Sequence, residues 1–139
     1  MNILILNGPN LNLVGRREPE IYGTRSLEDY LDELKSQFPE DELTCLQSNH
    51  EGNLIDALQE YGFGRAEGIV LNAGGYSHTS ISLRDAVAAI DTPVVEVHIT
   101  DITRREPFRR TSLLTDVCAH SIIGHGLDGY REAIEFLKK

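Results

Sequence analysis

Residues 2–12 read Asn2-Ile3-Leu4-Ile5-Leu6-Asn7-Gly8-Pro9-Asn10-Leu11-Asn12. The first five form a continuous apolar strand, and the rest is a turn rich in Asn, Gly and Pro, residue types that favour tight reversals of the chain. A polar, glycine-punctuated stretch follows to about Arg25. Ser26 then stands where it can cap a helix whose Leu27, Tyr30, Leu31, Leu34 and Phe38 share one face.

The same unit of strand, loop and helix recurs along the chain. Residues 43–47 read as a second strand, and Leu54, Ile55, Leu58 and Tyr61 mark an amphipathic helix that stops at Gly62. Residues 68–71 are a third strand, followed by the loop Asn72-Ala73-Gly74-Gly75-Tyr76-Ser77-His78-Thr79 and a helix through Leu83, Ala86, Val87 and Ile90. Pro93 introduces a strand over 94–99, residues 121–123 form a fifth, and a helix over 130–137 closes the pattern. No repeat, low-complexity run or linker interrupts it, so 139 residues with 40% apolar content read as one domain, 1–139. Five strands alternating with helices imply right-handed crossovers and a parallel sheet covered on both faces. The expected fold is an α/β three-layer sandwich with the flavodoxin-like strand order 2-1-3-4-5. Ligands of such sheets bind beyond the carboxyl ends of the strands, which directs the search for a site to the segments after strands one, three and four.

Composition narrows the partners. A formal net charge of −9 disfavours nucleic acid and anionic membrane, which usually demand a broad basic face. The apolar runs fall short of the roughly 18–20 residues of a membrane span, and Met1 leads into the first strand without a basic leader, so a cytoplasmic location is expected. Cys45 and Cys118 are far apart and lack metal-ligand spacing, and His50, His120 and His125 form no metal motif, so neither a disulfide framework nor a metal is expected. The charge is nevertheless uneven. Arg16-Arg17 and the run Arg104-Arg105-Glu106-Pro107-Phe108-Arg109-Arg110 are cationic knots in an acidic chain, a setting that suits a small anionic ligand. Lysine occurs only as Lys35, Lys138 and Lys139, which argues against Schiff-base chemistry.

Each segment at the sheet's carboxyl edge has its own chemistry. Asn7, Asn10 and Asn12 offer uncharged amides that can hold a neutral oxygen or a water, although Asn is also an ordinary turn former. Residues 15–23 carry glycines at both ends and no helical or alternating period, as a lid loop would. Within them stands Tyr22. A free phenol, with pKa near 10, is only about 0.1% ionised at neutral pH, and lowering that pKa by two to three units takes roughly 3–4 kcal/mol of phenolate stabilisation. Arg17 and the 104–110 cluster are the available cations. The Gly74-Gly75 turn lets backbone approach a ligand, but it matches neither a P-loop nor a dinucleotide fingerprint. On strand four, Glu96 and His98 are two apart and share a face, so the carboxylate can fix the imidazole tautomer and suit it to general acid work.

Four blocks together resemble the signature of the type II 3-dehydroquinate dehydratases. They are NGPNLNLVGRREPEIYG (7–23), LNAGGYSHTSISLRDA (71–86), EVHITDITRREPFRR (96–110) and IIGHGLDGY (122–130), in family order across nearly the whole chain. The resemblance implies a lyase that dehydrates the small anionic substrate 3-dehydroquinate through an enolate, without metal or cofactor, in shikimate biosynthesis or quinate breakdown. By the same resemblance Tyr22 is the base, Arg17 favours its phenolate, Asn10 holds a water for the enolate oxygen, and His98 is the acid with Glu96 orienting it. Asn72, His78 and Arg109 would bind ring hydroxyls, the Ile99 and Thr100 amides the carboxylate, and Arg105 would help to hold a closed lid. Asp85 matches a position that reaches a neighbouring subunit's site, which implies a homo-oligomer, a dodecamer built from trimers. Thr100-Asp101 departs from the more usual Ser-Asn, and the added charge calls for an arginine partner from the 104–110 cluster. A rival reading is a flavodoxin-like module that binds a flavin or a phosphate. A phosphoacceptor would want acidic residues where this chain has Asn7, Asn10 and Asn72, and a flavin binder would purify yellow. A partner-binding domain without turnover would leave Tyr22 and His98 replaceable.

Overall fold

The computed structural model describes residues 1–16, 18–22 and 24–139, without the side chains of Pro19 and Tyr22. Five parallel strands, β1 (Asn2–Asn7), β2 (Glu42–Gln47), β3 (Gly68–Asn72), β4 (Val94–His98) and β5 (His120–Ile123), form one sheet in the order 2-1-3-4-5. This is the expected flavodoxin-like arrangement. It follows from central strands β1, β3 and β4 buried on both faces and from helical crossovers between strands.

Alternation along β1 divides the core. Ile3 and Ile5 pack with Leu27, Tyr30, Leu31 and Leu34 of α2 (Leu27–Gln37) and with Tyr130, Ala133 and Ile134 of α5 (Asp128–Leu137). Leu4 and Leu6 face the other way, onto Leu54 and Leu58 of α3 (Glu51–Tyr61) and Leu83 and Val87 of α4 (Ile81–Ala89). Successive side chains of a strand point to opposite faces, so a run apolar at every position needs a helical layer on each. Ser26 caps α2 by accepting from the Asp29 N–H at 3.1 Å, and Ser80 caps α4 by accepting from Leu83 N–H at 2.9 Å. These caps fix where each helix departs from the carboxyl edge. Among the described residues no helix is long and apolar enough to cross a membrane.

Residues 15–23 differ from the expected featureless loop, because a single helical turn, α1 (Pro19–Tyr22), forms within them. Proline suits the first position of a helix, where its missing N–H costs nothing, and Glu20 complements the positive end of the first turn. Four residues are too few for such a turn to leave a hydrophobic period in the sequence.

The turn after β1 is locked against β3. The Gly8 N–H donates to the Asn72 carbonyl at 2.7 Å, and a Cβ on Gly8 would stand 2.5 Å from the Ala73 carbonyl oxygen. Because the opposing atoms are backbone, the strands themselves would have to move. Gly8→Ala is expected to lower the unfolding free energy by about 1–3 kcal/mol, as measured by denaturant titration; an unchanged midpoint would contradict this packing.

Candidate active site

A cavity of about 160 Å³ opens at the carboxyl ends of β1, β3 and β4. Of the residues expected at the site, Asn10, Asn72, His78, His98, Ile99, Thr100, Arg105 and Arg109 all line it. They come from three separate segments of sequence, brought together by the parallel sheet.

Asn10 adopts a left-handed conformation, with φ 68° and ψ −3°, a region open to asparagine and costly for most other side chains. Its N–H donates to Asn49 Oδ1 at 3.0 Å, and Gln47 Nε2 donates to both Asn49 Oδ1 and the Gly8 carbonyl at 3.1 Å. The β2 edge thus braces the turn. On β3, Asn72 is held through both ends of its amide: Oδ1 accepts from Gly74 N–H at 3.1 Å, and Nδ2 donates to the Tyr130 hydroxyl at 2.9 Å. Tyr130 in turn donates to Asn7 Oδ1 at 2.7 Å. Burial, the largest influence, pushes the Tyr130 phenol well above its usual range, so this hydroxyl keeps its proton and links β1, β3 and α5.

The two histidines are each fixed by one ring nitrogen. His78 Nδ1 lies 2.8 Å from the Thr111 carbonyl, an acceptor only, so Nδ1 carries the hydrogen. His98 Nε2 lies 2.7 Å from Glu96 Oε2, as the spacing of two along β4 predicts. The rings stack with centroids 6.2 Å apart and planes inclined by 28°. Glu96 is 0% exposed. Burial alone would raise its pKa, but hydrogen bonds from His98, Ser112 and Thr115, with the charge interaction of His98, more than offset this and bring it down to about 2. Glu96 is therefore an ionised acceptor, and His98 Nε2 bears the proton between them, which leaves Nδ1 for a ligand in the cavity.

That depressed pKa has a consequence for acid stability. A carboxyl at about 2 in the folded chain, against 4.5 ordinarily, stabilises the fold fully above pH 4.5 and loses that contribution as pH falls toward 2. The amount is about 3 kcal/mol, at 1.36 kcal/mol per pKa unit. Denaturant titrations of the native chain between pH 5 and pH 2 are expected to show this decline, and Glu96→Gln to lack that part of it.

The arginine-rich segment divides its labour. Arg105 and Arg109 line the cavity, Arg104 Nε stands 3.5 Å from Asp101 Oδ2, and Arg110 Nε donates to the Arg105 carbonyl at 3.1 Å. Asp101, whose charge was the departure noted in the sequence, has its partners: its Oδ1 accepts from the hydroxyl and N–H of Thr103 at 2.5 and 3.0 Å, which with Arg104 hold its pKa below the ordinary value. A wider groove shares Ile99, Thr100, Arg105 and Arg109 with the cavity and is walled on the other side by Glu18 and Ile21. Arg105 Nη2 approaches Glu18 Oε2 to 3.9 Å, so the segment carrying α1 meets the cavity rim.

Tyr22 ends α1, one residue beyond Ile21, but its side chain lies outside the described residues, as does all of Arg17. Asp85 is exposed on α4 and is not among the residues lining this chain's cavity. Sequence reasoning missed the second layer: Asn7 and Tyr130 behind Asn72, Thr111 behind His78, and Ser112, Thr115 and Ser121 around Glu96. One signal was present, since Ser121 is the cross-strand register partner of Glu96, but that pairing is visible only once the strand order is known. Among the described residues, no group of three or more His, Cys, Asp or Glu is placed to hold a metal ion.

Known proteins share this architecture and sequence. A curated protein from an Exiguobacterium species named 3-dehydroquinate dehydratase is 56% identical over 139 residues, covering 99% of this chain and 94% of its own. The crystal structure of a type II dehydroquinase from Butyrivibrio crossotus superposes with a TM-score of 0.96 at 43% identity, covering 100% of this chain and 98% of that one. A second, from Propionibacterium acnes, gives 0.93 at 36% identity over 98% and 94%. The family described as Dehydroquinase class II matches residues 1–138, the stretch that holds the whole sheet and every residue of the cavity. With fold, cavity and sequence in agreement over nearly its full length, the chain belongs to the class II dehydroquinases.

Proposed function

We propose that this chain, as a single catalytic domain over 1–139, dehydrates 3-dehydroquinate to 3-dehydroshikimate by anti elimination through an enolate, without metal or cofactor. The observation that carries the reading is His98, held from behind by buried Glu96, in the wall of a cavity also lined by Asn10, Asn72, His78, Arg105 and Arg109. Tyr22, as phenolate beside Arg17, takes the proton from carbon 2, and the electron pair moves onto the carbonyl oxygen. A water held by Asn10 stabilises that oxygen. His98 then protonates the hydroxyl at carbon 1, which leaves as water while the enolate pair forms the ring double bond.

Glu96 supplies the countercharge for the imidazolium that precedes this transfer. Asn72, His78 and Arg109 hold ring hydroxyls, the Ile99 and Thr100 amides take the carboxylate, and Arg105 holds the segment with Glu18 closed over the substrate. Asp85, which does not line its own cavity, serves the site of a neighbouring subunit in a dodecamer built from trimers. The enzyme works in the cytoplasm, in shikimate biosynthesis or quinate breakdown. A flavin- or phosphate-binding module is not favoured, because the matching relatives carry the dehydratase name and the first strand's turn presents amides where a phosphoacceptor needs carboxylates.

The test is the rise in ultraviolet absorbance of the conjugated enone when purified protein meets 3-dehydroquinate, with and without chelator and borohydride. Turnover indifferent to both agents is the expected result. A colourless, assembled, folded protein without turnover would refute the enzymatic reading.

A further inference from the structure

We propose that Ser112, Thr115 and Ser121 are positioning residues, whose hydroxyls occupy the acceptor sites of Glu96 that His98 leaves and so restrict His98 to the form protonated at Nε2, with Nδ1 given over to the substrate. The inference rests on the reading of His98 as the acid. A carboxylate offers about four lone-pair positions. On Glu96, Oε1 accepts from Thr115 Oγ1 at 2.7 Å and Ser121 Oγ at 2.8 Å, and Oε2 accepts from His98 Nε2 at 2.7 Å and from the Ser112 hydroxyl.

The three hydroxyls come from distinct places. Ser121 lies on β5 opposite Glu96, while Ser112 and Thr115 come from the segment between β4 and β5. Ser112 Oγ also accepts from Leu114 N–H at 3.2 Å, which turns its own hydrogen toward the carboxylate. With all four positions occupied by donors, the carboxylate form is favoured, because a proton moved from His98 onto Glu96 would weaken three hydroxyl hydrogen bonds that are stronger to a charged acceptor. Backward discharge of the imidazolium into the protein is therefore opposed, and the proton it delivers leaves from Nδ1. Remove the hydroxyls and the carboxylate is left with unfilled acceptor sites in a buried setting, where the Nε2 proton can transfer to it.

The experiment uses full-length protein labelled with ¹⁵N-histidine. It compares the native chain with Thr115→Val, Ser121→Ala and their combination, taking Thr115→Ser as the variant that keeps a hydroxyl. Ring-nitrogen spectra, with the His98 signals assigned from His98→Asn, report the tautomer without substrate, and steady-state kinetics on 3-dehydroquinate report kcat and KM. The native chain is expected to show His98 protonated at Nε2. The double variant should show a tautomer mixture, with kcat lower by about tenfold per hydroxyl lost and KM within about twofold, while Thr115→Ser keeps native values. A folded double variant with the native His98 spectrum overturns the proposal, even if its kcat falls, because a merely structural role would do that. Thr115 is exposed, so Thr115→Val alone provides the comparison if Ser121→Ala fails to fold. If the native chain does not turn over 3-dehydroquinate, the proposed function falls while the spectra still decide the clamp.

Discussion

His98→Asn is expected to lower kcat by about a hundredfold to ten-thousandfold, the range for losing a positioned general acid, while exchange of the carbon 2 proton with deuterium oxide continues. Asparagine keeps a donor amide for Glu96, and the three hydroxyls around that carboxylate remain, so the variant should fold. What it lacks is a group able to protonate the departing hydroxyl. An enolate formed by Tyr22 would then have one route open, back to substrate, and each return picks up solvent deuterium. Nuclear magnetic resonance of recovered substrate measures that exchange, and enone absorbance measures elimination. Equal loss of both would place His98 before the enolate and contradict its assignment as the acid. Undiminished elimination would remove it from the chemistry altogether.

The strand pattern was legible where an apolar run stops at a turn residue, as Ile3–Leu6 does before Asn7-Gly8 and Ile69–Leu71 before Asn72, and the helices keep one apolar face each. Ile3 and Ile5 on one core and Leu4 and Leu6 on the other are the physical counterpart of that run. The Glu96–His98 contact was legible for the same reason, since period two along a strand places alternate residues side by side. What could not be read were contacts that depend on which strands are neighbours and where loops return. Tyr130 reaches Asn7 across 123 positions of sequence, and no local pattern distinguishes it from an ordinary core aromatic on α5. Ser112 and Thr115 look like polar loop residues until the segment after β4 folds back over Glu96. The helical turn Pro19–Tyr22 was hidden by its brevity. Asp101, by contrast, posed a question in the sequence that Thr103 and Arg104 answer within three residues.

Tyr22→Phe is expected to abolish elimination and carbon 2 exchange together, by at least about a thousandfold each, because without the phenolate no base stands ready to begin the reaction. A phenol with pKa near 10 is about 0.1% ionised at neutral pH, so a chain that relied on an unaided tyrosine would forfeit nearly three orders of magnitude before any chemistry occurred. In the proposed mechanism Arg17 is the cation that recovers this factor, and the approach of Arg105 to Glu18 brings the segment carrying α1 to the cavity rim. The two roles separate by pH. Arg17→Ala should show slow carbon 2 exchange at pH 7 and regain exchange as pH rises toward 10, because higher pH restores the phenolate that the lost cation had favoured, and exchange does not need the acid. Tyr22→Phe has nothing to ionise and should stay inactive throughout. Recovery of Tyr22→Phe at high pH, or carbon 2 exchange at the native rate, would show that another group removes the proton and that the turn ending in Tyr22 serves only to cover the site.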